Sequence, residues 1–132
     1  MEHRIKEEGK FKYIETQGEG PNLLLLHGLF GALSNFEGII EHFKKTHNVV
    51  VPILPIFELP IRKVSVTGLV DYVVDFVNYK AYEKVNVLGN SLGGHISLLY
   101  APSLLLFLNF VTYISKWEMT FPKKMQNIST YF

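Results

Sequence analysis

A serine framed by glycines, Gly89-Asn90-Ser91-Leu92-Gly93-Gly94, separates the stretch Val85 to Leu88, apolar except for Asn86, from a second apolar stretch beginning after His95. A strand can feed a helix through so short a link only if the backbone turns sharply, and bulky side chains would collide where the two elements approach. Gly89 and Gly93 lack Cβ atoms and so permit that approach. Such a turn pushes its central side chain out at the carboxyl end of a sheet, where open α/β sheets bind ligands. Ser91 is therefore the candidate nucleophile. The amide of Leu92 would open the following helix, where unsatisfied N–H groups and the helix dipole favour negative charge. It is a candidate donor to an oxyanion formed by attack of Ser91, which needs one donor more.

The preceding sequence builds a frame for that turn. Residues 11–17 alternate apolar and polar, as a half-exposed strand does. The four leucines 23–26 are apolar on both faces and fit a central, doubly covered strand. Ser34-Asn35-Phe36-Glu37 has capping-box spacing, and Phe36, Ile39, Ile40 and Phe43 continue it as a helix to about Lys45. A buried strand over 49–54 follows, closed by Pro52 and Pro55. Ser65 can cap a helix whose apolar positions Val66, Leu69, Val70, Val73, Val74 and Val77 keep the 3.6 period. A strand over 84–88 then delivers the chain to Ser91, and a helix over 92–101 leads away. This alternation predicts an α/β fold with mostly parallel central strands and flanking helices.

The first leucine strand ends in His27-Gly28-Leu29-Phe30-Gly31, at the same end of the sheet as Ser91. Together with Gly89-x-Ser91-x-Gly93 about sixty residues later, this resembles the α/β-hydrolase family over roughly residues 5–101. The wording of both motifs is most like that of small esterases and carbon–carbon bond hydrolases. The resemblance implies a partial α/β-hydrolase sheet and a serine hydrolase acting on a small ester or acyl-type substrate, without metal or organic cofactor. It assigns Ser91 as nucleophile, and the amides of Leu92 and of Leu29 or Phe30 as the oxyanion hole. Gly28, Gly89 and Gly93 shape the site, and His27 is a loop-orienting residue rather than a base.

Other readings are weaker. The glycines lack the G-K-[ST] and G-x-G-x-x-G patterns of phosphate loops. His95 stands one turn up the helix from Ser91 and reads as a packing or hydrogen-bonding residue. Asp71 and Asp75, four apart on a helix, read as a polar face rather than a metal pair. Thirteen basic against twelve acidic residues give no electrostatic footprint for nucleic acid or an anionic membrane. Cysteine is absent, which excludes disulfides and thiolate metal sites. The charged start has no signal-peptide core, and the default is a cytoplasmic protein. Twenty uncharged residues between His95 and Lys116 are long enough for a membrane span, but Pro102 and Asn109 interrupt them, and no membrane partner is expected.

The family's triad runs Ser, then Asp or Glu, then His. After Ser91 only Glu118 and His95 are available, and neither matches the pattern. The chain alone is expected to be severely impaired, since loss of a triad member costs on the order of 10⁴–10⁶ in turnover. All ten glycines lie at or before Gly94, and residues 101–132 carry seven aromatics and no glycine. The expectation is a single truncated domain over 1–132 whose tail, 101–132, departs from the family pattern. Strand 84–88 would then be an open edge, with 104–114 as a neighbour from the same chain or, by exchange, from a second copy. A homodimer through this edge or the tail, and a non-catalytic remnant or interaction module, stay open as alternatives.

Overall fold

The computed structural model describes residues 4–29, 33–58, 65–103 and 108–114. Strands β1 (Lys6–Glu8) and β2 (Phe11–Glu15) form a hairpin, and β3 (Asn22–Leu26) follows. A 3₁₀ turn (Leu33–Phe36) runs into α1 (Glu37–Phe43), then β4 (Asn48–Pro52), α2 (Val66–Tyr79) and β5 (Val85–Asn90). The chain continues through α3 (Leu92–Ser103) to β6 (Leu108–Ile114). One mixed sheet has the order β1-β2-β4-β3-β5-β6. β4, β3, β5 and β6 are parallel, whereas β1 and β2 run antiparallel to their neighbours.

The leucine run occupies the middle of this sheet, between β4 and β5. Its side chains alternate between two cores, as the period of two requires. Leu24 and Leu26 join Val50, Val87, Val73, Phe76 and Ile96 on the face covered by α2 and α3. Leu23 and Leu25 join Val49, Val51, Leu88, Ile39 and Ile40 on the face covered by α1. The sheet is thus the middle of three layers, which explains why its central strands are apolar without alternation.

Helix starts separate two similar signals. Ser65 caps α2 as its position suggests, with its Oγ accepting from the Gly68 amide at 3.0 Å. The capping box at Ser34 does not set the start of α1. There the N-cap is Phe36, with no side-chain cap bond, because the 3₁₀ turn already includes Ser34. Phe36 is buried at 1% exposure in the core with β3 and β4 residues.

The edge expected at 84–88 is closed within the chain. β6 pairs in parallel along the whole of β5, from Val85 opposite Leu108 to Asn90 opposite Ile114. Of the region 101–132, residues 101–103 complete α3 and 108–114 form β6; the remainder lies outside the described residues.

At the amino-terminal ends of the parallel strands, a polar cluster ties the hairpin to the residues that follow α2. The Glu15 carboxylate accepts from Lys6 and Lys80 at 3.0 Å each, from Tyr82 Oη at 2.7 Å and from Asn48 Nδ2 at 3.1 Å. Burial pushes this carboxyl up, but the four donors outweigh it and hold it down at about 2. No helix among the described residues is long and apolar enough to cross a membrane.

Candidate active site

At the opposite end of the sheet, β5 ends at Asn90 and α3 begins at Leu92, leaving one residue to make the turn. That residue is Ser91, whose φ of +54° lies in the left-handed region that L-residues rarely adopt. Its side chain is exposed. Its carbonyl accepts from the amides of Gly94 at 2.9 Å and His95 at 3.2 Å, closing the first turn of α3. The amides of Leu92 and Gly93 precede that closure and have no carbonyl acceptor within the helix.

The flanking glycines are required by contact. A Cβ on Gly93 would lie 1.9 Å from the Leu26 carbonyl oxygen, and one on Gly89 would lie 2.2 Å from the Gly93 carbonyl oxygen. Both obstacles are backbone and cannot swing aside. α3 therefore sits directly on the ends of β3 and β5, which is how the turn becomes so tight. Ser97 completes the seat: it is fully buried, and its Oγ donates to the Gly93 carbonyl at 2.7 Å.

The loop after β3 meets this turn. A Cβ on Gly28 would lie 3.2 Å from Ser91 Cβ and 3.7 Å from Ser91 Oγ. Leu29 follows in a turn and is 43% exposed. Phe30 lies outside the described residues. His27 is buried, and both ring nitrogens are committed to backbone groups. Nδ1 is 2.9 Å from the Gly28 carbonyl oxygen, and Nε2 is 2.9 Å from the Leu54 amide nitrogen. A carbonyl can only accept and an amide N–H can only donate, so the ring is neutral with its proton on Nδ1. Burial lowers its pKa below the ordinary histidine value, with the Gly28 bond opposing.

Thus Ser91, Leu92, Gly28, Gly89 and Gly93 come together, with Leu29 adjoining. His95 projects from an exposed position on α3. Asp71 and Asp75 are exposed on α2, with Asp75 paired to Lys10, and no metal-holding cluster occurs among the described residues. Two participants escape the sequence reading. Ser97 is signalled only by its i+4 spacing from Gly93, which many helical serines share. Leu54 acts through its backbone amide, and nothing in its side chain advertises that.

A three-layer sheet with a left-handed serine between strand and helix, and a His-Gly loop beside it, defines a hydrolase scaffold. The family model for the alpha/beta hydrolase fold matches residues 21–104, and the chain belongs to that family. No curated protein matches the sequence significantly. Among solved structures, an alpha/beta hydrolase enzyme from the sediment metagenome of the lagoon of Mar Chica, Morocco, is similar, at 39% identity and TM-score 0.80 over 96% of this chain and 55% of that one. An N-acyl homoserine lactonase is 25% identical, with TM-score 0.71 over 85% of this chain and 45% of that one. A marine microorganism esterase, at 21% identity, shares the fold, with TM-score 0.68 over 92% of this chain and 47% of that one. The chain spans about half the length of these relatives.

Proposed function

We propose that the chain carries the nucleophile half of an esterase-like serine hydrolase. The single observation behind this is Ser91 itself: an exposed hydroxyl on a strained +54° backbone, directly before a helix. Proteins retain such strain where the surroundings over-determine it, and functional sites are the common setting. Ser91 Oγ would attack the carbonyl carbon of a small ester or acyl-type substrate and yield its proton to a base. The resulting oxyanion would sit between the Leu92 amide and that of Leu29 or Phe30. Collapse would expel the alcohol and leave an acyl-serine, which water would hydrolyse. Carbon–carbon bond hydrolysis uses the same groups and remains within this reading.

The base is the open element. His27 cannot serve while both its ring nitrogens bind backbone groups. After Ser91 the sequence offers only Glu118 and His95 in place of the family's acid and histidine. Turnover by this chain in isolation is therefore expected to fall on the order of 10⁴–10⁶ below that of a complete triad. The same observation favours a second reading, in which the elbow persists as structure in a non-catalytic module.

Labelling with a fluorophosphonate probe, with Ser91→Ala as control, separates the two. Covalent labelling that disappears in the variant supports an activated Ser91. A folded sample that resists the probe leaves the non-catalytic reading.

A further inference from the structure

By pairing with β5, β6 becomes the outer strand itself: the sheet order ends with β5-β6. The two outer strands of the sheet differ in kind. β1 is three residues long, Lys6-Glu7-Glu8, and each of them is charged. Shortness and charge keep an open edge from recruiting another strand. β6 has seven residues, Leu-Asn-Phe-Val-Thr-Tyr-Ile, with no charge, proline or glycine among them. Its register against β5 shifts once, at its amino end, and then runs unbroken from Phe110 opposite Asn86 to Ile114 opposite Asn90. Every residue of that unbroken part is aromatic or β-branched, the types that strands favour. In a parallel ladder alternate residues turn both N–H and C=O toward the neighbour, and the residues between turn theirs away. No described strand pairs with the groups that β6 turns away from β5.

We propose that β6 is a homodimer surface: its Phe110–Ile114 edge pairs antiparallel with the same edge of a second copy, about a two-fold axis at Thr112. A two-fold contact uses one patch twice, so the patch must complement itself. This one does. Pairing about Thr112 sets Phe110 opposite Ile114 and Val111 opposite Tyr113, and brings Thr112 opposite its own copy. Aromatic residues facing β-branched ones, and threonine facing threonine, are pairs that stabilise antiparallel strands. The edge holds no like charges to oppose one another, and a net charge of +1 sets little general repulsion between copies.

The same register keeps residues of equal parity opposite each other, so the two faces of the sheet continue from one copy into the next. α3, which packs against β5 and β6, then lies on the same face of the joined sheet in both copies. Because the two edges run antiparallel, the two Ser91 turns fall at opposite ends of that sheet. The contact is thus independent of whether Ser91 reacts.

The test is sedimentation equilibrium of the full chain over about a hundredfold range of concentration, with amide hydrogen exchange of residues 108–114 at both ends of the range. The expected result is a monomer–dimer equilibrium in which β6 exchange slows as dimer forms, by about tenfold where the free chain stands at ten times Kd. Thr112→Lys and Thr112→Glu each set like charges directly opposite and should each lose the dimer. Mixed in equal amounts they should regain it, which two misfolded variants could not do. The proposal is overturned by a chain that stays monomeric, by open-ended polymers, or by a dimer whose β6 amides exchange alike at both concentrations. Slow β6 exchange in a monomer would show the edge covered from within the chain, and overturns it too. So does a dimer that survives both Thr112 variants but is lost in Leu98→Glu, which would put the contact on the exposed leucines of α3. Should the Thr112 variants fail to fold, the concentration dependence of β6 exchange in the unaltered chain still decides.

Discussion

Replacing Ser91 by glycine should stabilise the fold while abolishing any nucleophile, and alanine should do only the second. The side chain is exposed, so its removal leaves no buried cavity to confuse the result. What changes is the backbone at φ +54°. An L-residue in the left-handed region carries about 1–2 kcal/mol of Cβ–carbonyl crowding, from which glycine is exempt. Glycine also gives the unfolded chain extra freedom, which takes back about 0.5–1 kcal/mol. The difference leaves Ser91→Gly more stable than Ser91→Ala by about 0.5–1 kcal/mol. Alanine keeps the Cβ and hence the crowding, so the comparison isolates the backbone contribution. In a domain of this size that corresponds to a Tm higher by about 2–4 °C. Urea unfolding followed by circular dichroism at 25 °C resolves such a gap when the three proteins share one m-value. Equal stability of the two variants, or a less stable glycine variant, would refute the claim that strain is stored at the turn.

Other expectations follow from the same geometry. Gly93→Ala should destabilise by about 3 kcal/mol, since its Cβ would stand 1.9 Å from the Leu26 carbonyl oxygen. Gly9→Ala, with φ +58° but open space around it, should lose only about 1 kcal/mol; a similar loss at both sites in thermal unfolding would show that α3 does not rest on β3. Glu15→Gln should be destabilised by up to about 3 kcal/mol at pH 7, the equivalent of moving a carboxyl from 4.5 to about 2. The Glu15 side chain is only 9% exposed, so solvent screening removes little of this. Its folded-state pKa is depressed, so the contribution is complete above about 4.5 and is lost as pH falls toward 2. Wild type and variant should therefore converge in acid, and a deficit independent of pH in denaturant titrations from pH 7 to 2 would contradict the network.

Much of the frame was legible because its signals are local. The leucine run, the valines of α2 and the Ser65 cap each report a neighbourhood of a few residues, and each element formed where its pattern lay. The Ser34 signal was equally local, yet the regular helix begins two residues later, after a 3₁₀ turn that contains Ser34. β6 was only half legible. Its apolar content suggested a neighbour for β5, but whether the same chain or another would supply it depends on how α3 returns the chain, which no local pattern encodes.

For the site, sequence alone made two features legible: a serine held between glycines after a buried strand, and a His-Gly loop from the strand beside it. Those follow from residue identity and spacing, because a tight strand-to-helix turn tolerates few side chains. Only the tertiary structure decided how that chemistry is held. It brought Gly28 against Ser91, set Gly93 on the Leu26 carbonyl, buried Ser97 beneath the turn, and gave the His27 ring a partner in the Leu54 amide twenty-seven residues away. These are contacts between backbone groups brought together by the sheet, and a backbone amide has the same identity at every non-proline position until the fold gives it a neighbour.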